Sequence, residues 1–212
     1  MAIYDISRTI SPKTAVWPGD SPFSFELILS KKAGSSVNLT TIHLSPHTGT
    51  HADAGFHFAD DGLHPDQLPL EKYMGQAQVV TIERKHGGMV PADFTGKIQM
   101  PLERLLVHTW VSDIPDDQWP EDFPFPTLEL IEWLAEQGAV LLGLDSPSVD
   151  AFDSKDLLCH HRLREKGLVH LESLWLTGVP DGLYELTALP LKITGICGSP
   201  VRAILKTIPR QT

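Results

Sequence analysis

Short apolar runs, several of them alternating with polar positions, recur along this chain and predict strands. They fall at Ile3–Ile6, Phe23–Leu29, Val37–Leu44, Ala77–Ile82, Arg104–His108, Val140–Leu144, Val169–Leu176 and Leu191–Ile196. Two stretches instead carry helical signals. One runs from about Leu128 to Gln137, with Thr127 as N-cap, Glu129 and Glu132 in the early turns and Gly138 just past its end. The other runs from about Lys155 to Lys166, with Ser154 at its start and Gly167 at its end. The proline-rich segment Ile114–Pro126 reads as a surface loop. Strands and helices in this mixed order predict one α/β domain over residues 1–212 rather than regular βαβ alternation.

Composition narrows the partners. A chain of 212 residues, 42% hydrophobic and 21% charged, suits a globular protein with one sizeable core. Its net charge of −10 repels phosphate backbones and anionic lipid, so neither a nucleic-acid nor a membrane partner is expected. Two cysteines, Cys159 and Cys197, lack CxxC spacing, which argues against a disulfide framework and fits a reducing cytoplasm. The opening MAIYDISRTI does not have the charge and apolar pattern of a signal peptide. The apolar run Ala139–Leu144 is too short to span a bilayer.

The chemistry concentrates in HTGTHADAGFHF, His47 to Phe58, where His47, His51, Asp53 and His57 crowd together. On a helix His47 and His51 would share a face, but Asp53 and His57 would lie roughly 240° and 280° round from His47. On a strand all four share parity, yet ten residues of strand cover about 33 Å. Bends at Thr48-Gly49-Thr50 and near Gly55 would let them converge, because glycine tolerates positive φ and close backbone approach. Imidazole and carboxylate donors suit Zn²⁺, Mn²⁺ or Fe²⁺, and open N/O coordination is the catalytic pattern. A single histidine here is more often an ordinary polar loop residue. The HxxxHxDxxxH set favours ligands.

CHHRLREKGLVHLES, Cys159 to Ser173, is the best source of further donors. His160 shares the inward helix face with Leu157 and Leu163, and about 16 Å of returning strand can bring Glu172 beside it. A buried Glu172 needs a partner: a metal, or an arginine such as Arg162 or Arg164. His161 and His170 are rival ligands that pattern alone leaves open.

These residues give a resemblance. HTGTHADAGFHF resembles the HxGTHxDxPxH signature of the cyclase-like metal-dependent hydrolases. With YDISRTI, VWPGD, LGLDSPSVD, the His160-to-Glu172 spacing and ELTALPLKITGICGSPVRAIL, nearly the full length is similar to the bacterial kynurenine formamidases, or arylformamidases. The resemblance implies a swivelling β/β/α fold, usually dimeric, and two divalent ions, zinc being expected and manganese the other choice. It implies that His47, His51 and Asp53 hold one ion, that His160 holds the second, and that Asp53 and Glu172 bridge both. His57 is then the acid/base residue, and Trp17 lines the substrate pocket. VWPGD reads independently as a tight turn, with Pro18 at i+1 and Gly19 at i+2, although a core position is the commoner fate of a tryptophan. Family members usually carry proline where this chain has Gly55.

The implied reaction is hydrolysis of N-formyl-L-kynurenine to L-kynurenine and formate, in tryptophan degradation. The alternatives are another cyclase-like amidase or lactamase of the isatin-hydrolase kind, or a non-catalytic metal-binding protein. A cysteine hydrolase built on Cys159 is weaker, because that residue is expected mid-helix, away from any helix N-terminus that would lower its pKa.

Overall fold

The structure, a computed structural model, describes residues 1–208. In chain order its strands are β1 (Ile3–Asp5), β2 (Ser24–Leu29), β3 (Leu39–His43), β4 (His51–Asp53), β5 (Met74–Thr81), β6 (Gly87–Met89), β7 (Arg104–His108), β8 (Pro124–Pro126), β9 (Leu141–Leu144), β10 (Val169–Glu172), β11 (Gly182–Thr187), β12 (Gly198–Pro200) and β13 (Ile204–Thr207). The helices are α1 (Leu128–Glu136) and α2 (Leu158–Glu165). Nine strands form one sheet in the order β1-β13-β11-β5-β7-β9-β10-β4-β12. Its centre, β5-β7-β9-β10, is parallel, and the flanking strands pair antiparallel. The α/β class holds, and the mixed order follows from returning segments that cross over between parallel strands.

Alternation divides the sheet's side chains between two cores. Val80, Leu105, Val107, Leu142 and Leu144 pack with Leu130, Ile131 and Leu134 of α1 and with Leu163 of α2. Their neighbours Val79, Leu106, Leu141 and Leu171 join Ala52, Tyr184 and Leu186 in the other core. α1 forms where expected: the Thr127 hydroxyl accepts the Leu130 N–H at 3.2 Å, and the chain leaves the helix through Gly138 at φ 83°.

Several expected boundaries move. α2 begins at Leu158, not Lys155, because Leu157 takes a left-handed φ of 45°. The cap comes from a distance: the Asp150 carboxylate accepts the Cys159 and His160 N–H groups at 3.0 and 3.1 Å. β10 stops at Glu172 rather than Leu176, since Ser173 turns out of the sheet at φ 55°. Leu191–Ile196 is not a strand; Leu191 and Ile193 are exposed, and the C-terminal pairing is made by β11, β12 and β13. The end of the Ile114–Pro126 loop is ordered as β8, paired parallel to β6. β2 and β3 form a separate two-stranded ribbon. Among the described residues no helix is long and apolar enough to cross a membrane.

Candidate metal centre

The centre grows from one strand register. β10 runs antiparallel to β4 with Leu171 opposite Ala52 and Glu172 opposite His51. Side chains opposite each other share a face. Leu171 and Ala52 therefore enter the apolar core, while His51, Asp53, His170 and Glu172 all project from the opposite face. His160 reaches the same place from α2, its Nε2 lying 3.4 Å from Asp53 Oδ2 and 3.8 Å from Glu172 Oε1. His170 Nε2 lies 3.3 Å from Asp53 Oδ2, and His51 Nε2 lies 3.3 Å from both Asp53 Oδ1 and Glu172 Oε2. His47 arrives from the preceding turn, where Gly49 adopts φ 63°, and sets its Nδ1 2.9 Å from Asp53 Oδ1. The bends expected around Gly49 and Gly55 are both present, the second as a 3-10 turn over Gly55–His57.

Outer contacts fix how the imidazoles face. His51 Nδ1 is 2.9 Å from the Gly49 carbonyl, to which it donates, leaving Nε2 directed at the carboxylates. His160 Nδ1 is held at 2.7 Å by Asp150 Oδ2, with the same result. Glu172 Oε1 accepts the Val149 N–H at 2.9 Å. Arg162 and Arg164 pair with Glu132 and Asp61 instead, so neither is the partner of Glu172.

The donors fit a cation. His51 Nε2, His170 Nε2 and both Asp53 oxygens are buried without a hydrogen-bond partner among the described residues. Close as they are, the imidazole–Asp53 contacts are not aligned as hydrogen bonds. Orphaned buried donors are costly, and a divalent ion between them would satisfy all four atoms at once. Two overlapping, largely buried nests share Asp53, namely His47, His51 and Asp53, and Asp53, His160, His170 and Glu172; a third, more open group at the cavity edge joins His47 to His57 and Cys197. Every expected ligand is brought together, and His170 joins them. His161 is exposed on the outer face of α2.

Electrostatics agree with a charge-concentrating site. Burial works against the charged imidazoles, but Asp53 outweighs it, carrying His47 up to about 10 with help from Cys197 and His51 up to about 9 with help from Glu172. Burial likewise opposes charge on His160, which Asp150 and Asp53 raise to about 10. Asp53 is pushed up by burial and pulled well below the carboxylate range by His160, His170, His47 and His51.

A cavity of about 940 Å³ opens onto His47, His51, His57 and Glu172. His57 stands at its edge, its side chain about a third exposed, with Nε2 3.9 Å from Asp53 Oδ2 and its ring 4.1 Å from that of His47. Trp17 also lines the cavity. VWPGD makes the expected turn, the Asp20 N–H donating to the Trp17 carbonyl at 2.9 Å with Gly19 at φ 94°. The Trp17 ring meets Trp119 edge-on at 5.5 Å and lies tilted against Phe152 at 5.1 Å.

Sequence reasoning missed Trp119, Phe152, Asp150 and Cys197. Trp119 sat in a segment read as surface loop; Asp150 and Cys197 lie inside LGLDSPSVD and ELTALPLKITGICGSPVRAIL, quoted for the resemblance but given no role, and no local pattern marks Phe152. Cys197 Sγ lies 3.1 Å from His47 Nε2, and His47 and His57 draw its thiol down to about 6. Cys159 is not mid-helix but in the first turn of α2. It is no nucleophile even so: burial pushes its thiol up to about 12, and Sγ donates to the Pro126 carbonyl.

A family model described as "Putative cyclase" matches residues 4–151. The chain belongs to the cyclase family. It is 44% identical over 210 residues to the kynurenine formamidase of Salinibacter ruber, covering 99% of each chain. A solved potential metal-dependent hydrolase with cyclase activity superposes with TM-score 0.83 at 24% identity, covering 98% of this chain and 99% of that one. Isatin hydrolase A from Labrenzia aggregata, solved with benzyl benzoate, superposes with TM-score 0.82 at 25% identity, covering 96% and 93%. The cyclase fold is thus matched across nearly the whole chain, with the His/Asp/Glu cluster at one end of its sheet.

Proposed function

We propose that this protein is an arylformamidase that hydrolyses N-formyl-L-kynurenine to L-kynurenine and formate. The observation that carries this is the cluster of unpartnered buried donors opening into an aromatic-lined cavity, in a chain 44% identical to a kynurenine formamidase. His47, His51, Asp53, His160 and Glu172 are the residues we assign to two divalent ions, zinc first and manganese second. Nitrogen and oxygen donors without thiolate suit both metals. Bound there, the ions supply Lewis acidity and a water acidified towards neutral pH.

The chain's own residues do the rest. Trp17, braced by Trp119 and Phe152, receives the aryl ring, and the Trp119 N–H, without a partner among the described residues, is free for a polar atom of the substrate. His57 at the cavity edge protonates the anilide nitrogen as the C–N bond breaks, because an unprotonated anilide is a poor leaving group. As water adds to the formyl carbon, the proton it gives up passes to His57 and from there to the anilide nitrogen; the aryl amine leaves, and the formic acid left behind releases its proton to solvent as formate.

The whole chain, residues 1–212, acts in this reading as one domain. The β2–β3 ribbon exposes Phe25, Leu27, Leu29, Leu39 and Ile42, and Ile42 also lines the cavity. That apolar surface supports a homodimer whose interface borders the active site. Two free cysteines fit a reducing cytoplasm. The likeness to isatin hydrolase A supports the second reading, ring-opening of isatin-like lactams. Steady-state kinetics on both compounds decides: a higher kcat/KM on N-formyl-L-kynurenine is expected, and a higher value on isatin replaces the proposal with the second reading.

A further inference from the structure

The two donor nests are unequal, and the inequality turns on a residue that the family resemblance does not place among the ligands. His170 projects from β10 two residues before Glu172, on the same face, and is 4% exposed. Its Nε2 lies 3.3 Å from Asp53 Oδ2 and 3.7 Å from Glu172 Oε1, yet has no hydrogen-bond partner among the described residues. Its ring stands edge-on to that of His160 at 5.2 Å and 85°, so two imidazoles converge on one pair of carboxylates. It does not line the 940 Å³ cavity; it borders a separate hollow of about 280 Å³ behind the cluster, beside Phe58 and Leu68. A substrate in the main cavity would not touch it.

We infer that His170 is a direct metal ligand, completing with Asp53, His160 and Glu172 a four-donor inner site. The inference rests on the metal-dependent function proposed above. Its consequence is tighter binding at that position. Without His170 the inner position has three protein donors, Asp53, His160 and Glu172; with it the position has four and would hold its ion more tightly, while the outer position at His47, His51 and Asp53 gains none.

A calorimetric titration of chelator-stripped protein with Zn²⁺ tests this. Wild type should bind in two steps. In His170→Ala one step should weaken by about 10–100-fold or more while the other is unchanged. A second variant separates ligation from a mere charge contact with Asp53. In a Cys197→Ser background, His170→Cys loaded with Co²⁺ should show the near-ultraviolet thiolate-to-cobalt absorption that only direct coordination gives, and Cys197→Ser alone should not. Circular dichroism and melting of the stripped variants establish that each is folded. Wild-type affinity at both steps in folded His170→Ala overturns the inference and leaves the proposed function standing, as does absence of the thiolate band in folded His170→Cys. Wild-type protein that binds no divalent ion overturns both.

Discussion

The buried grid of β4, β10 and α2 and the exposed rim of the cavity solve different problems with different materials. In the grid, His51, Asp53, His160, His170 and Glu172 are each 5% exposed or less, and all stand on regular elements. At the rim, Trp17, His57, Trp119 and Cys197 come from turns and loops and keep part of their surface open. Donors for an ion must be fixed to fractions of an ångström, which packed strands and a helix accomplish for the five in the grid, while the sixth candidate, His47, comes from the turn before β4 and has a side chain 16% exposed. Substrate must enter and leave, and a proton must exchange with solvent, which requires the looser rim.

Perturbations of the two regions should therefore separate into metal effects and kinetic effects. The largest effect belongs to Asp53→Asn. Asp53 is shared by both nests, so elemental analysis should find both ions lost and activity abolished, with the apoprotein still folded. His57→Ala comes next: kcat falls by about 10²–10⁴-fold while metal content stays at the wild-type level. If that variant loses metal as Asp53→Asn does, His57 belongs to the grid, and the division between grid and rim fails at its most important residue.

Asp150→Asn probes the support beneath the grid. Losing the carboxylate that holds His160 Nδ1 at 2.7 Å should lower the affinity of the inner ion by about 10–100-fold, with the outer ion unaffected. At the rim, Trp17→Ala should raise KM for N-formyl-L-kynurenine by about 2–10-fold and leave metal content alone, as expected for a lost stacking contact. An unchanged KM with a collapsed melting temperature would make Trp17 a core residue.

The smallest effect is one of pH. His47, His51 and His160 have folded pKa values of about 9 to 10, above the unfolded value of 6.5. Stripped protein thus has the full benefit of these charged pairs below 6.5 and loses it as pH rises through 9 to 10. Metal binding needs the neutral imidazoles, so it gains as pH rises. The melting-temperature difference between zinc-loaded and stripped protein should widen from about pH 6 to about pH 8; a constant difference contradicts the charged pairs.

Grid and rim also differ in how far the sequence reveals them. α1 was legible because its cap, apolar stripe and terminal glycine are all local. The start of α2 was not, since Asp150 caps it from eight residues before Leu158 while the nearer Ser154 offers a conventional but misleading cap. The candidate donors His47, His51, Asp53 and His57 were recognisable by spacing, and His160 and Glu172 by helix face and strand reach. His170 stayed one of two rivals because the deciding fact is a register between strands far apart in the chain. Its trace is still present: His51-Ala52-Asp53 and His170-Leu171-Glu172 repeat one polar-apolar-polar pattern, as two paired strands sharing a polar face would. Leu191–Ile196 misled for the opposite reason. Its alternating apolar residues have strand spacing, but among the described residues no strand pairs with them.

The most direct test of the account is turnover of N-formyl-L-kynurenine by one preparation in three states: as purified, after chelation, and after Zn²⁺ is restored, with metal content measured in each. The account predicts hydrolysis to L-kynurenine and formate in the first state, loss of turnover together with the ions in the second, and recovery as two ions per chain return in the third. Full turnover by folded protein that holds no metal would contradict it.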